Sequence, residues 1–402
     1  MTQQADILIA GAGLSGLTLA VELARRPAFR GQRIVLVDRD SKQRNDRTWS
    51  FWATPDEEIP PVAHRSWERC RFLAPGVDVP MDMGDFRYHT VRGIDFYRWA
   101  HNELAQYPNV ERVHAEINDL NAETGALRTS KGTWTSPYLF NSAQTARNLL
   151  PADERFPSPF STNGHVVPLQ FSLLLQHFKG WVIRTAAPAF DPDEVRFMDF
   201  RVPQDGAVRF AYVLPFSETE ALVEYTLFSE KLLPEPDYDK ALAKYVQQYL
   251  GIQHYQITET EFGVIPMTDY PFQPRRNGKV WNIGTAAGFV KASSGYAFKR
   301  TLYKMRVFVD DWALHGHPSE RALSSPWRFR AYDSILLRVL RDMPEQGSKV
   351  FTRIFSKMPA HVMLRFLDED SSLWEELRVM ATQPPWLFLR KTIRQTRVLT
   401  RV

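Results

Sequence analysis

The chain of 402 residues has a single cysteine, Cys70. It can form no disulfide framework within itself and offers no thiolate-rich metal site, which fits a reducing compartment. Charge of one sign is in short supply: 50 Lys and Arg against 46 Asp and Glu leave a formal net charge of +4. That is no basis for binding nucleic acid through a basic surface. Long apolar runs are missing as well. Residues 5–24 come nearest, yet they hold Asp6, Glu22 and three glycines, and no cationic segment leads into them. They read as a buried strand and helix, not as a signal or a membrane span. There are no internal repeats and no low-complexity stretches. His315 and His317 stand near each other without cysteine or carboxylate partners in a ligand pattern, so no metal is assigned.

What is plentiful is aromatic. Phe numbers 26 and Trp 11, and aromatics make up 13% of the chain, which suits either core filling or a long apolar pocket. The length allows two or three folding units. Positive charge gathers at one place: Arg390, Lys391, Arg394, Arg397 and Arg401 occur with no acid among the last thirteen residues. On a helix the four arginines share a face. Such an end suits an anionic membrane surface, at about 1 kcal/mol per cation, or a solvated tail.

Along the chain, Ala5-Asp6-Ile7-Leu8-Ile9-Ala10 is a short apolar run predicted as a parallel strand. Residues 14–26 follow as a helix, with Leu17, Ala20, Val21 and Ala24 on one face, and residues 33–37 as a second strand. Residues 40–65 are polar and hold prolines, so they are expected as loop. A helix is expected over 93–107 and strands over 110–116 and 133–141. From about 160 to 265, short strand-like segments at 181–183, 195–201, 207–214 and 220–228 predict an inserted antiparallel sheet, with a helix at 237–250. A buried strand returns at 279–284, and from 295 onward helical periodicity dominates. There Ile335, Leu336, Val339, Leu340 and Met343 form one apolar stripe, and Phe351, Ile354, Phe355 and Met358 another.

Gly11-Ala12-Gly13-Leu14-Ser15-Gly16 is a GxGxxG turn between a strand and a helix. Gly11 permits the tight turn, Gly13 lets the backbone approach a pyrophosphate, and Gly16 lets helix and strand pack closely. The helix N-terminus faces the phosphates with unpaired N–H groups. Asp38 closes the second strand, where a carboxylate holds ribose hydroxyls. Gly284-Thr285-Ala286-Ala287-Gly288 follows the returning strand. This turn resembles the way aromatic-hydroxylase flavoproteins hold the rest of FAD, although many of those carry Asp where this chain has Thr285.

Several strings in order resemble the lycopene cyclase family, in its bacterial β-cyclase branch. They include Asp46-Arg47-Thr48-Trp49-Ser50-Phe51-Trp52, Leu175-Gln176-His177-Phe178-Lys179-Gly180-Trp181 and Met198-Asp199-Phe200-Arg201. Further on stand Leu214-Pro215-Phe216-Ser217, Ala221-Leu222-Val223-Glu224-Tyr225-Thr226, Gly263-Val264-Ile265-Pro266-Met267 and Ser294-Gly295-Tyr296-Ala297-Phe298. The resemblance implies an enzyme that binds FAD, needs it reduced, uses NAD(P)H as the electron donor, and performs no net redox chemistry. It would convert the ψ ends of lycopene into β-ionone rings, giving γ-carotene and then β-carotene.

The implied fold is α/β with α+β elements. A Rossmann-like FAD-binding domain covers 1–160 and 262–305, an antiparallel-sheet substrate domain 161–261, and a helical C-terminal region 306–402. The family's catalytic acid falls on Glu224, with Tyr225 where plant-type relatives carry a second acid, so one acid is expected from this motif. Asp199 is expected either as a supporting catalytic carboxylate or in a salt bridge with Arg201. Arg47, Gly284, Thr285, Gly288 and Gly295 are candidates for cofactor contact beside Gly11, Gly13, Gly16 and Asp38. Lys291 is expected near the flavin ring. Trp49, Phe51, Trp52, Phe200, Tyr225 and Tyr296 are candidate aromatic faces for a carbocation, and His177 is expected within a helix. Because lycopene lives in a bilayer, the protein is expected to be cytoplasmic and to dock peripherally on a membrane, with Trp386-Leu387-Phe388-Leu389 and the following arginines as the docking element. A flavin monooxygenase, a prenyl-chain reductase and a flavin-bearing carotenoid carrier are the rival readings.

Overall fold

The computed structural model describes residues 2–143, 171–276 and 279–387. Apart from the strands of a small sheet described below, its main elements in chain order begin with β1 (Ile7–Ala10), α1 (Leu14–Arg25) and β2 (Ile34–Asp38). Then come β3 (Thr48–Ala53), β4 (Arg69–Ala74), β5 (Val77–Met81) and β6 (Arg87–Arg92). After α2 (Gly93–Leu104) follow β7 (Val110–His114) and β8 (Tyr138–Asn141). A run of long strands is next: β9 (Leu173–Arg184), β10 (Glu194–Asp199), β11 (Val208–Pro215) and β12 (Glu220–Ser229). The middle of the chain ends with α3 (Glu235–Gln248), β13 (Gln256–Thr268) and β14 (Val280–Asn282). Helices α4 (Phe298–His315), α5 (Trp327–Asp342), α6 (Pro344–Lys357), α7 (Ala360–Leu367) and α8 (Leu373–Ala381) complete the described chain.

Strands β14, β8, β1, β2 and β7 form a parallel sheet in that spatial order, with a short antiparallel edge at Arg275–Arg276. Alternation explains why its central strands β1 and β2 read as apolar runs. Ile7, Ile9, Ile34 and Leu36 join the cluster under α1 and α4, whereas Leu8, Ala10, Val35 and Val37 join a second cluster with Leu127 and Trp134. Both faces are covered over Ile7–Ala10 and residues 34–37, so a polar side chain within those stretches would carry a cost. The second cover is a small sheet of Thr2–Gln4, Gly132–Thr135, Ala126–Thr129 and Ile117–Asn121. The strand expected over 133–141 is thus two strands in two sheets.

A larger sheet runs in the order β13, β9, β12, β11, β10, β4, β5. It is antiparallel except where β10 lies parallel to β4. It reaches beyond 161–261 on both sides, taking Arg69–Met81 from earlier in the chain and running on to Thr268. One face packs on α3 through Val223, Tyr225, Leu242 and Tyr245. The other carries Phe210, Leu214, Leu222 and Phe228 against Phe351, Ile354 and Phe355 of α6. Helix α4 runs through the boundary expected at 305 and lies against α1.

Two local expectations are corrected. Thr48–Ala53, expected as loop, is a strand paired with β6, because Phe51, Trp52 and Ala53 find buried positions that a polar neighbourhood does not advertise. His177 lies in β9, not in a helix, and its ring nitrogens meet the Tyr238 hydroxyl at 2.5 Å and the Ser229 hydroxyl at 2.7 Å. Of the expected docking element, Trp386 is exposed and Leu387 buried, while Phe388, Leu389 and the basic run lie outside the described residues.

Candidate active site

A cavity of about 720 Å³ runs from the start of α1 to the face of the large sheet. At the α1 end the glycines do what their spacing requires. Gly11 has φ +98°, and a Cβ on it would press on the backbone at Ala143. Nothing stands within 4 Å of the Cβ position of Gly13, so the turn is open there. At Gly16 a Cβ would overlap the Gly11 carbonyl oxygen. Gly11 and Gly13 line the cavity; Gly16 packs behind them.

Asp38 also lines the cavity and organises the turn. Its Oδ2 accepts the Ala12 N–H at 2.6 Å and its Oδ1 the Asp40 N–H at 2.7 Å. Arg47 reaches the same end, where its guanidinium donates to Asp46 at 2.8 Å and lies over Trp49.

The returning turn, Gly284–Ala287, sits against Ser15, and a Cβ on Gly284 would collide with that hydroxyl. Thr285 lines the cavity; Gly288 ends the turn at φ +71° with Phe272 packed against it. Deeper in, Gly295 has φ +75° and no room for a Cβ beside the Gln176 amide. Gln176 Oε1 and Ser294 Oγ are buried there without a partner among the described residues. Lys291 departs from expectation. It turns away from this cavity and pairs with Asp333 at 2.9 Å and Glu369 at 3.0 Å, because two buried acids of the C-terminal helical region claim its charge.

The sheet end is built from strand alternation. In β12, Val223 and Tyr225 face α3, so Leu222 and Glu224 face the cavity. Glu224 pairs in register with Tyr212 of β11 and Gly180 of β9. On its far side Gly180 pairs with Glu261 of β13, which also lines the cavity. Thr226 donates its hydroxyl to Glu224 Oε1 at 2.6 Å. Removal from water, and next the charge of Glu261, hold the Glu224 carboxyl well above the usual carboxylate range. Both side chains keep some accessible surface, but it faces the cavity they line.

Asp199 is elsewhere. It is fully buried on the α3 side, bonded to Arg201 at 2.5 Å and to the Tyr245 hydroxyl at 2.7 Å, and it does not line the cavity. Its carboxylate is spent on an ion pair, as one of the two sequence readings has it.

Among the candidate aromatic faces, Trp49 and Tyr296 line the cavity. Phe200 stacks on Phe351 in the core, Tyr225 points to α3, and Phe51 and Trp52 lie behind the cavity wall. Nothing in the sequence singles out Glu261, Tyr88 or Tyr212; pairing across strands brings them in. The Tyr88 and Tyr296 hydroxyls are 3.1 Å apart. Burial raises the pKa of Tyr88, Tyr212 and Tyr296, which keeps these phenols neutral. Among the described residues no group of three or more His, Cys, Asp or Glu is arranged to hold a metal.

The lycopene cyclase family model, described as "Lycopene cyclase protein", matches residues 6–392. The chain belongs to the lycopene cyclase family. It is 27% identical to a lycopene beta-cyclase of Paracoccus sp. (strain N81106 / MBIC 01143), over 94% of either chain. A lycopene beta-cyclase of Pseudescherichia vulneris is 22% identical, again over 94% of each. Solved structures share the fold. A geranylgeranyl bacteriochlorophyll reductase-like protein from Thermoplasma acidophilum superposes with a TM-score of 0.65 at 12% identity, covering 98% of this chain and 100% of that one. The fold is α/β, as expected, and is shared also with pqsL, a probable FAD-dependent monooxygenase from Pseudomonas aeruginosa, at a TM-score of 0.56 and 16% identity, covering 87% of this chain and 100% of that one.

Proposed function

We propose that the protein is an FAD-dependent lycopene β-cyclase, an isomerase that closes the ψ ends of lycopene into β-ionone rings and yields γ-carotene, then β-carotene. The observation that carries this reading is one cavity with a glycine cradle at one end and, at the other, Glu224, whose carboxyl is held above the usual carboxylate range by removal from water and by the neighbouring Glu261.

The residues fit a flavin dinucleotide. The open space at Gly13 and the N-terminus of α1 suit a pyrophosphate, and Asp38 suits a ribose. Arg47 suits phosphate charge. Thr285 and the Gly284 and Gly288 turn suit the chain leading to the ring. The unpartnered Gln176 Oε1 and Ser294 Oγ, beside Gly295, suit polar edges of the ring itself. When bound, reduced flavin supplies a fixed negative charge that stabilises a nearby cation, and NAD(P)H is the proposed source of its electrons.

The chain's own residues then carry the proton. Glu224 gives its proton to a terminal alkene carbon, and a tertiary cation forms. Leu214, Leu222, Phe178 and Val264 keep water from trapping it. The rings of Trp49, Tyr88, Tyr212 and Tyr296 offer electron-rich faces while it closes on the neighbouring alkene.

Lycopene is a hydrocarbon of the bilayer, so the proposed partner is the membrane surface. Among the described residues no helix is long and apolar enough to cross it. Helix α8 offers a docking face instead. Leu373, Trp374 and Leu377 are 66%, 69% and 58% exposed, while Glu376 anchors the other side to Arg328 at 3.0 Å. Trp374→Glu should release the protein from lycopene-bearing liposomes in a flotation assay and leave flavin binding intact.

Anaerobic incubation with lycopene-loaded liposomes, FAD and excess reductant tests the function. A cyclase returns rings at unchanged mass, with reductant spent only on the flavin. Reductant spent with each product points to a reductase; an oxygenated product that forms only when the same mixture is opened to air points to a monooxygenase; a polyene unchanged both with and without air points to a carrier.

A further inference from the structure

The sequence offers one acid in its catalytic motif, because Tyr225 follows Glu224. The register of the large sheet supplies another. Glu224 on β12 and Glu261 on β13 both lie opposite Gly180 of the strand between them. Residues opposite one another across neighbouring strands point to the same face, so the two carboxyls and the glycine form a row on the cavity wall. Their Cα atoms are about 9–10 Å apart, two strand spacings. Gly180 is what lets the acids approach. A Cβ there would sit 3.0 Å from Glu261 Cγ and 3.0 Å from Leu222 Cδ1, so the Glu261 side chain leans over the glycine toward Glu224.

The two acids stand in different surroundings. Thr48 supplies Glu261 with hydrogen bonds from its hydroxyl and its backbone N–H, which favour the carboxylate. Its Oε1 is buried with no partner among the described residues. Among the described residues Glu224 has the Thr226 hydroxyl alone as its hydrogen-bond partner. Both carboxyls are pushed upward, by burial first. For Glu224 the next cause is the charge of Glu261, and for Glu261 a smaller contribution comes from Glu259 on its own strand. The groups facing the pair are hydroxyls: Thr226, Thr48, Tyr88 of β6, Tyr212 of β11 and Tyr296. The cations of the cavity, Arg39, Lys42 and Arg47, belong to the end formed by the glycine turn and Asp38. Two like charges in such a place share one proton, and the better solvated member ionises first.

We propose that Glu261 is the base of the cyclisation, taking the ring proton after Glu224 has delivered its own. This rests on the cyclase reading above. The O–H bond of Glu224 breaks and a C–H bond forms with the alkene pair. The next alkene pair closes the ring and leaves a second cation. A C–H bond beside that cation then breaks; its electron pair becomes the ring double bond, and its proton goes to the Glu261 carboxylate. Glu224 ends as carboxylate and Glu261 as acid, and return of the proton from Glu261 to Glu224 restores the start. No electron enters or leaves, as an isomerisation requires. The ring cation has three neighbouring carbons that bear hydrogen, so the place of the base selects which double bond forms. An acid fixed on the strand two away from Glu224 gives that selection a structural origin.

The test compares Glu261→Gln with Glu224→Gln in the reduced-FAD liposome assay, with flavin retention measured for each. Glu261→Gln should lower ring formation about a hundredfold, and its residual product should carry double bonds moved away from the β position. A role confined to packing would not alter that product ratio. Wild-type rate with β rings alone overturns the proposal. Ring formation at the wild-type rate in Glu224→Gln overturns the acid assignment beneath it, a different failure with a different readout. If Glu261→Gln loses flavin, Glu261→Asp decides, since it keeps a carboxylate one methylene short. A lowered rate with flavin retained supports the proposal, and an unchanged rate sinks it.

Discussion

The two ends of the cavity are made by opposite means. At the α1 end the backbone does the work: Gly11, Gly13 and Gly16 within six consecutive residues, a helix N-terminus, and Asp38 tying down Ala12. At the sheet end the side chains do it, and Tyr212, Glu224, Gly180 and Glu261 come from four strands spread over about eighty residues of sequence. A backbone site tolerates little change in shape but asks for few particular side chains. A side-chain site keeps its shape when one group is swapped for an isostere, and loses only its chemistry. Substitutions at the two ends should therefore fail differently.

The largest effect is expected at the sheet end. Glu224→Gln should abolish ring formation by about a thousandfold or more, the upper range for loss of a general acid, while bound flavin per protein stays at the wild-type level by absorbance. The reverse pattern belongs to the α1 end. Gly16→Ala forces a methyl onto the Gly11 carbonyl oxygen, so it should destabilise the fold by about 2–3 kcal/mol, as overpacking does, and strip flavin from the purified protein.

Asp199→Asn sharpens the contrast within the sheet itself. It leaves Arg201, about a third exposed, without its counter-charge. The thermal midpoint should drop by several degrees, from roughly 1–2 kcal/mol after allowing for solvent at Arg201, while activity per folded molecule changes much less than in Glu224→Gln. The smallest effect is in pH dependence. The folded protein raises the Glu224 pKa, so between the ordinary carboxyl value and the raised one it holds more protons than the unfolded chain. Stability must then fall as pH rises through that window. Glu224→Gln should match the wild type in acid and exceed its thermal midpoint by a few degrees at alkaline pH. Equal midpoints across the range would mean that Glu224 is not held protonated.

The sequence and the structure agree most where the signal is local. The βαβ unit was legible because a tight turn, a close helix–strand contact and a doubly covered strand each demand particular residues within about thirty positions. Glu224 was legible through its motif, though its direction was not: alternation along β12 turns Leu222 and Glu224 to the cavity and Val223 and Tyr225 to α3. Tyr225 could not have held a second acid in this cavity whatever its chemistry. Asp199 shows the converse, an acid two residues before an arginine, whose burial under α3 ends its availability. Glu261 escaped notice because its neighbours say nothing. It matters through Gly180, and a register is not written in any one strand.

The sequence by itself determined the class of fold and the nucleotide cradle, since these rest on periodicity and on turns that close within a few residues, and it carried the family in an ordered series of short strings. The tertiary structure alone decided which carboxyls share the cavity. Side chains from distant strands meet only when the hydrogen-bond register is set, and that register depends on how α3 and α6 cover the two faces of the large sheet.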